Sequence, residues 1–130
     1  MAQAVDLCIE ASNRMVGGEI FVKNMGSCNI MSLARAVSGD NTFKYSEIGH
    51  KPGEKLYEEL VTESEAPRTV VDGNTYIVLS DMADMLSDEL RTEYAAYDDL
   101  PRLSDPLRSD SNLLSDADVV CMLRNAELLV

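Results

Sequence analysis

Lys51 and Glu54 are the residues whose types and spacing best suit chemistry, because they flank Pro52-Gly53 within the string Ile48-Gly49-His50-Lys51-Pro52-Gly53-Glu54-Lys55-Leu56-Tyr57-Glu58-Glu59-Leu60. Proline presets one backbone angle and glycine frees the next, so a cation and a carboxylate are held on one tight bend. Such a bend can clamp a polar anion. The plainer alternative is an exposed ion pair that only shapes a turn, worth about 0 to 1 kcal/mol. Chemistry alone ranks the ion pair first. His50, the one histidine of the chain, lies beside the bend and reads as a surface residue, not a catalyst. Serine hydrolysis has no support, since no nucleophile motif surrounds any serine and only His50 could act as base.

The flanking segments must position this bend. Val5, Cys8, Ile9, Ser12 and Met15 recur at helical spacing and predict an amphipathic helix over residues 2–15, stopped by Gly17-Gly18. Glu19-Ile20-Phe21-Val22 predicts a short strand, and Asn29 is a candidate cap for a helix carrying Ile30, Met31, Leu33, Ala34 and Val37, ended by Ser38-Gly39-Asp40-Asn41. Phe43, Tyr45 and Ile48 alternate with Lys44 and Glu47, which predicts a second strand leading into the bend. Beyond the bend, Leu56, Leu60 and Val61 suggest a short helix with Glu58, Glu59, Glu63 and Glu65 outward. Thr69-Val70-Val71-Asp72 and Thr75-Tyr76-Ile77-Val78-Leu79, separated by Gly73-Asn74, predict a tight hairpin.

Pattern then weakens. Between Ser80 and Ser115, Asp and Ser are frequent, Pro101 and Pro106 interrupt, and the one helical stripe is Met82, Met85, Leu86 and Leu90. Ser115 is a candidate cap for a last helix with Asp116 and Asp118 in its first turn and Val119, Met122, Leu123 and Leu128 at helical spacing. The expected organisation is one domain: a core over 1–80, an acidic extended arm over 81–115 and a C-terminal helix over 116–130. The expected fold class is α/β, with short strands and about four helices.

Composition narrows the function classes. The 130 residues, 45% hydrophobic and 26% charged, suit one modest folded domain. No window nears the roughly 18 consecutive apolar residues of a membrane span, and the first residues show no signal-peptide pattern, so the expectation is a cytoplasmic protein without a membrane partner. A net charge of −12 repels phosphate backbones and argues against general nucleic-acid binding. The acidic, Lys-poor surface would also suit a high-salt cytoplasm. Cys8, Cys28 and Cys121 are odd in number and widely spaced, which predicts reduced thiols and no metal site.

Five segments carry a family resemblance across nearly the whole chain. Met1-Ala2-Gln3-Ala4-Val5-Asp6-Leu7, Gly18-Glu19-Ile20-Phe21-Val22, Met31-Ser32-Leu33-Ala34 and the Ile48–Leu60 string resemble the C-terminal part of the nucleotide-sugar 4,6-dehydratases and epimerases of polysaccharide biosynthesis, typified by UDP-N-acetylglucosamine 4,6-dehydratase. Ser109-Asp110-Ser111-Asn112 is similar to a segment that precedes the last helix of that family. Those enzymes are extended short-chain dehydrogenases, so the resemblance implies a small substrate-binding lobe with an extended C-terminal arm. It also implies a UDP-sugar ligand and substrate contacts from Lys51, at a position where the family writes Arg, and from Glu54. Lysine is a point charge where arginine is a planar fork, so bidentate phosphate recognition is lost there.

The family's NAD(P) machinery has no counterpart in this sequence. Gly17-Gly18 follows a helix and precedes a strand, the reverse of the order that cradles a pyrophosphate, and no tyrosine has a lysine four residues on. The expectation is therefore a lobe that is not catalytic by itself, with no cofactor in this chain and NAD(P) only in a separate Rossmann-domain partner. The alternative is a small acidic interaction or self-association protein that retains the fold. A lobe with an uncovered apolar surface is also expected to form a homo-oligomer.

Overall fold

The computed structural model describes residues 2–39, 42–82 and 87–128. Met85 and Leu86 of the expected stripe, and Asp40-Asn41 of the expected helix end, lie outside the described residues. The fold is α/β, with four α-helices and short strands among the described residues. The chain divides into two compact units: Met1–Met25 with Glu59–Leu107, and Gly26–Glu58 with Arg108–Val130.

The first unit is built on an antiparallel sheet in the order β1-β4-β3, from β1 (Ile20–Lys23), β3 (Thr69–Asp72) and β4 (Thr75–Val78). Residues Thr69 and Asp72 of β3 face Val78 and Thr75 of β4. The two-residue connection is Gly73-Asn74, and Gly73 takes φ +58°, a conformation open to glycine without cost. Side-chain alternation sends β4 to both faces of the sheet. Ile77 and Leu79 join Val70, Tyr94 and Tyr97 in one cluster, while Val78 joins Val61 and Ala66 in another.

Polar contacts fix the surrounding elements. α1 (Ala2–Arg14) presents Arg14 to Glu10 of its own last turns and to Asp72 of the hairpin, and Thr75 Oγ1 donates to Glu10. The free edge of β3 is covered by residues 101–103: the Val71 N–H donates to the Pro101 carbonyl and the Leu103 N–H to that of Thr69, both at 2.8 Å. Tyr94 ends α3 (Asp88–Tyr94) and Tyr97 ends the following 3-10 turn, with both rings buried edge to face. The stretch expected to be weakly ordered is thus folded from Asp88 to Tyr97. Its apolar anchors are two tyrosines whose hydroxyls find partners: that of Tyr94 donates to the Gly17 carbonyl and that of Tyr97 lies 3.2 Å from Glu19 Oε1.

The expected helix after the bend is corrected. Glu59–Val61 is a strand, β2, which pairs with β5 (Leu107–Arg108) and fully buries Val61. Glu65 is also not an outward charge. Its carboxylate accepts from the backbone and the hydroxyl of Thr62, at 3.0 and 2.6 Å, and so closes the turn ahead of Pro67. Those hydrogen bonds, from the hydroxyl first, hold the Glu65 pKa below the ordinary carboxylate value.

The second unit pairs α2 (Ile30–Ser38) with α4 (Asp116–Asn125). Both start on the expected caps, with Asn29 Oδ1 accepting from the Met31 N–H and Ser115 Oγ from the Asp118 N–H. Gly39, at φ +66°, ends α2. Val119 and Leu123 of α4 are buried. A parallel bridge joins Ser27 to Leu113, and the Leu114 N–H donates to the Ser27 carbonyl at 2.7 Å.

Candidate functional site

The Lys51-Pro52-Gly53-Glu54 bend belongs to the second unit and closes on itself. The Glu54 N–H donates to the Lys51 carbonyl at 3.1 Å, and Glu54 Oε2 accepts from the Lys51 N–H at 2.9 Å. Gly53 sits at φ +89°, where any side chain would be strained. The turn predicted from Pro-Gly is therefore present, but its carboxylate caps the backbone. The Lys51 ammonium forms no ion pair among the described residues. Both side chains are exposed, as is His50. This arrangement leaves a solvated cation at the tip of a braced turn.

No strand delivers the bend. Residues 43–50 are irregular, and Ile48, at 81% exposed, and Tyr45 have no sheet partner to cover them. Alternation alone predicted a strand there, but an isolated extended segment without a neighbour gains no ladder hydrogen bonds. What holds the loop is its far end. The Arg108 guanidinium lies 3.6 Å from the centre of the Tyr57 ring and is gripped by both oxygens of Asp110, at 2.9 and 2.6 Å. Glu58 and Ser109 exchange two further bonds, each 2.9 Å: the Ser109 N–H donates to the Glu58 carbonyl, and the Glu58 N–H to Ser109 Oγ. The Arg108 hydrogen bonds hold the Asp110 carboxyl below its ordinary value.

Tyr57, Arg108 and Ser109 were missed by sequence reasoning as supports of the site. The clue available was that the Ile48–Leu60 string and the Ser109–Asn112 segment both carry the family resemblance. Spacing could not show that they meet, because 51 residues separate Glu58 from Ser109.

The first unit holds the glycine pair considered for a dinucleotide. The Val16 and Gly17 N–H groups donate to the two oxygens of the Glu19 carboxylate, at 2.8 and 2.7 Å. A carboxylate of the chain already occupies the amides that a phosphate would need. The Gly17-Gly18 turn therefore does not fit an NAD(P) pyrophosphate.

A profile of the family described as polysaccharide biosynthesis protein matches residues 1–80. The chain belongs to that family. The match takes in the Lys51–Glu54 bend and ends at the hairpin. An uncharacterized membrane protein of Methanocaldococcus jannaschii is 40% identical over 72 residues, 48% of this chain and 22% of that protein. Pen from Bacillus thuringiensis, known by its X-ray structure, is similar over 98% of this chain with a TM-score of 0.72 and 31% identity. The chain spans 37% of Pen. It therefore spans less than two fifths of the length of each of these proteins. No helix among the described residues is long and apolar enough to cross a membrane.

Proposed function

We propose that this chain is a UDP-sugar-binding lobe of a polysaccharide-biosynthesis 4,6-dehydratase or epimerase and is not catalytic by itself. The observation that carries the proposal is the braced Lys51-Pro52-Gly53-Glu54 turn, which presents an ammonium with no ion-pair partner among the described residues. Membership in the polysaccharide biosynthesis family supports it. In this reading Lys51 meets the diphosphate as a single point charge, and Glu54, besides bracing the turn, accepts from a sugar hydroxyl. NAD(P) chemistry belongs to a Rossmann-domain partner, and the cytoplasm is the proposed location.

An apolar groove on α1 favours a second reading, in which the lobe serves association. Val5 and Ile9 are each more than half exposed and line it with Ala4 and Cys8. Contiguous apolar surface usually finds a partner, and a Rossmann domain or a second copy of this chain would cover it.

Isothermal titration of the full chain with UDP-N-acetylglucosamine and with UDP, beside Lys51→Ala at matched salt, tests the first reading. Saturable binding that is lost in the variant is the expected result. No heat at about 1 mM ligand, a binding free energy weaker than about −4 kcal/mol, would leave the association reading in front.

A further inference from the structure

The first unit contains a pocket of about 440 Å³ lined by Arg68, Arg91 and Arg102 together with Asp98, Tyr94 and Ser80. Three of the seven arginines in a chain of net charge −12 meet at this one place. They come from three different elements. Arg68 ends the 3-10 turn before β3, Arg91 lies on α3, and Arg102 bridges to Val70 at the β3 edge. Convergence from separate elements is not a by-product of one helix face.

The local structure also holds these groups in place. The Arg68 guanidinium donates to the Leu79 carbonyl and lies 3.9 Å from Glu65, which fixes its direction. The Tyr94 hydroxyl accepts from the Ser80 N–H and donates to Gly17, so the pocket wall is tied to the sheet. Among the described residues that line the pocket, Asp98 is the carboxylate beside the three arginines, and Glu65 lies within reach of Arg68. Arginine forks match phosphate oxygens two at a time, and the volume lies within the range of small-molecule sites.

We propose that this pocket binds a phosphate- or diphosphate-bearing small molecule, at a site separate from the Lys51–Glu54 turn and independent of the role assigned to that turn. The test is a titration of the isotope-labelled full chain at low salt with inorganic pyrophosphate and, in parallel, with UDP, read by amide and arginine Nε–H chemical shifts. Saturable shifts at Ser80, Tyr94 and Ala95 are expected. They should weaken about tenfold or more in an Arg91→Ala/Arg102→Ala variant whose circular dichroism is unchanged, and by an intermediate factor in Arg102→Lys, which keeps charge but loses the fork. Tighter binding of UDP than of pyrophosphate would identify a nucleotide as the source, and equal binding the phosphate group alone.

Lys51→Ala should leave these shifts unaltered, so failure of the turn reading and failure of this one are separable. Shifts confined to residues 50–55, equal affinity in the double variant, or no saturation at about 10 mM would overturn the proposal. So would tighter competitive binding by a glutamate-rich peptide, which would make the pocket a protein contact.

Discussion

The two units carry their charged candidates on different kinds of support. In the first, a three-stranded sheet buries side chains on both faces: Val70, Ile77 and Leu79 to one side, Val61, Ala66 and Val78 to the other. Its arginine pocket is lined from elements tied directly to that sheet. In the second, the buried hydrophobic residues among those described are Val119 and Leu123, and the Lys51 turn stands on an irregular segment with Ile48 and Leu56 largely exposed. A turn there keeps its shape by its own two hydrogen bonds and by the Tyr57–Arg108–Asp110 anchor at its end. The contrast teaches that a charged turn can be locally rigid without a core beneath it. Its surroundings open more readily, since few buried apolar contacts oppose local unfolding.

Core truncation should separate the units most strongly. Ile77→Ala, at the centre of the sheet, is expected to lower unfolding stability by about 2 to 5 kcal/mol in urea titration. Val119→Ala should cost less, about 1 to 3 kcal/mol, and show mainly as lost amide protection over residues 26–58 and 108–128. Equal losses from the two substitutions would dissolve the comparison.

Alkali should single out the first unit. Burial, reinforced by the Glu19 carboxylate, pushes the Tyr97 hydroxyl up to about 12 from its ordinary 10. The folded state then holds a proton that the unfolded chain releases. The stability it contributes is complete below pH 10 and is lost as pH rises toward 12, on the order of 2 kcal/mol in all. Denaturant midpoints measured from pH 9 to 12 should fall steeply for the native chain and more gently for Tyr97→Phe. Parallel slopes would remove Tyr97 from the account.

The smallest effect belongs to the second unit. Ser115→Ala removes the side-chain acceptor of the Asp118 N–H and is expected to destabilise by about 1 kcal/mol, seen as faster amide exchange at the start of α4. The same exchange experiment should leave the β3–β4 hairpin unchanged. A matching rise in hairpin exchange would mean that the two units unfold as one.

How much was legible follows from the range of each interaction. α1, α2 and α4 were readable from apolar spacing, and two of their starts from Asn29 and Ser115, because the cap and the amide it satisfies lie within three residues. The hairpin was readable from Gly73-Asn74 between two β-prone runs. The Pro52-Gly53 turn was readable for the same local reason. Residues 43–48 alternate like a strand yet are irregular, and residues 59–61 form a strand where a helical stripe was expected, because strand identity depends on a partner. For β2 that partner is β5, more than forty residues away. Tyr94 and Tyr97 lie in a polar stretch with weak periodicity, and nothing local marks them as core.

The sequence by itself determined the acidic balance, the helix starts, the hairpin and the shape of the turn between Lys51 and Glu54, all set by neighbours a few bonds apart. Tertiary structure decided which segments pair, that Arg108 lies on Tyr57, and that Arg68, Arg91 and Arg102 share one pocket. Those contacts close loops of tens of residues in most cases. Burial and hydrogen bonding across the fold outweigh the entropy of closing them, and local preference has no means of choosing among the alternatives.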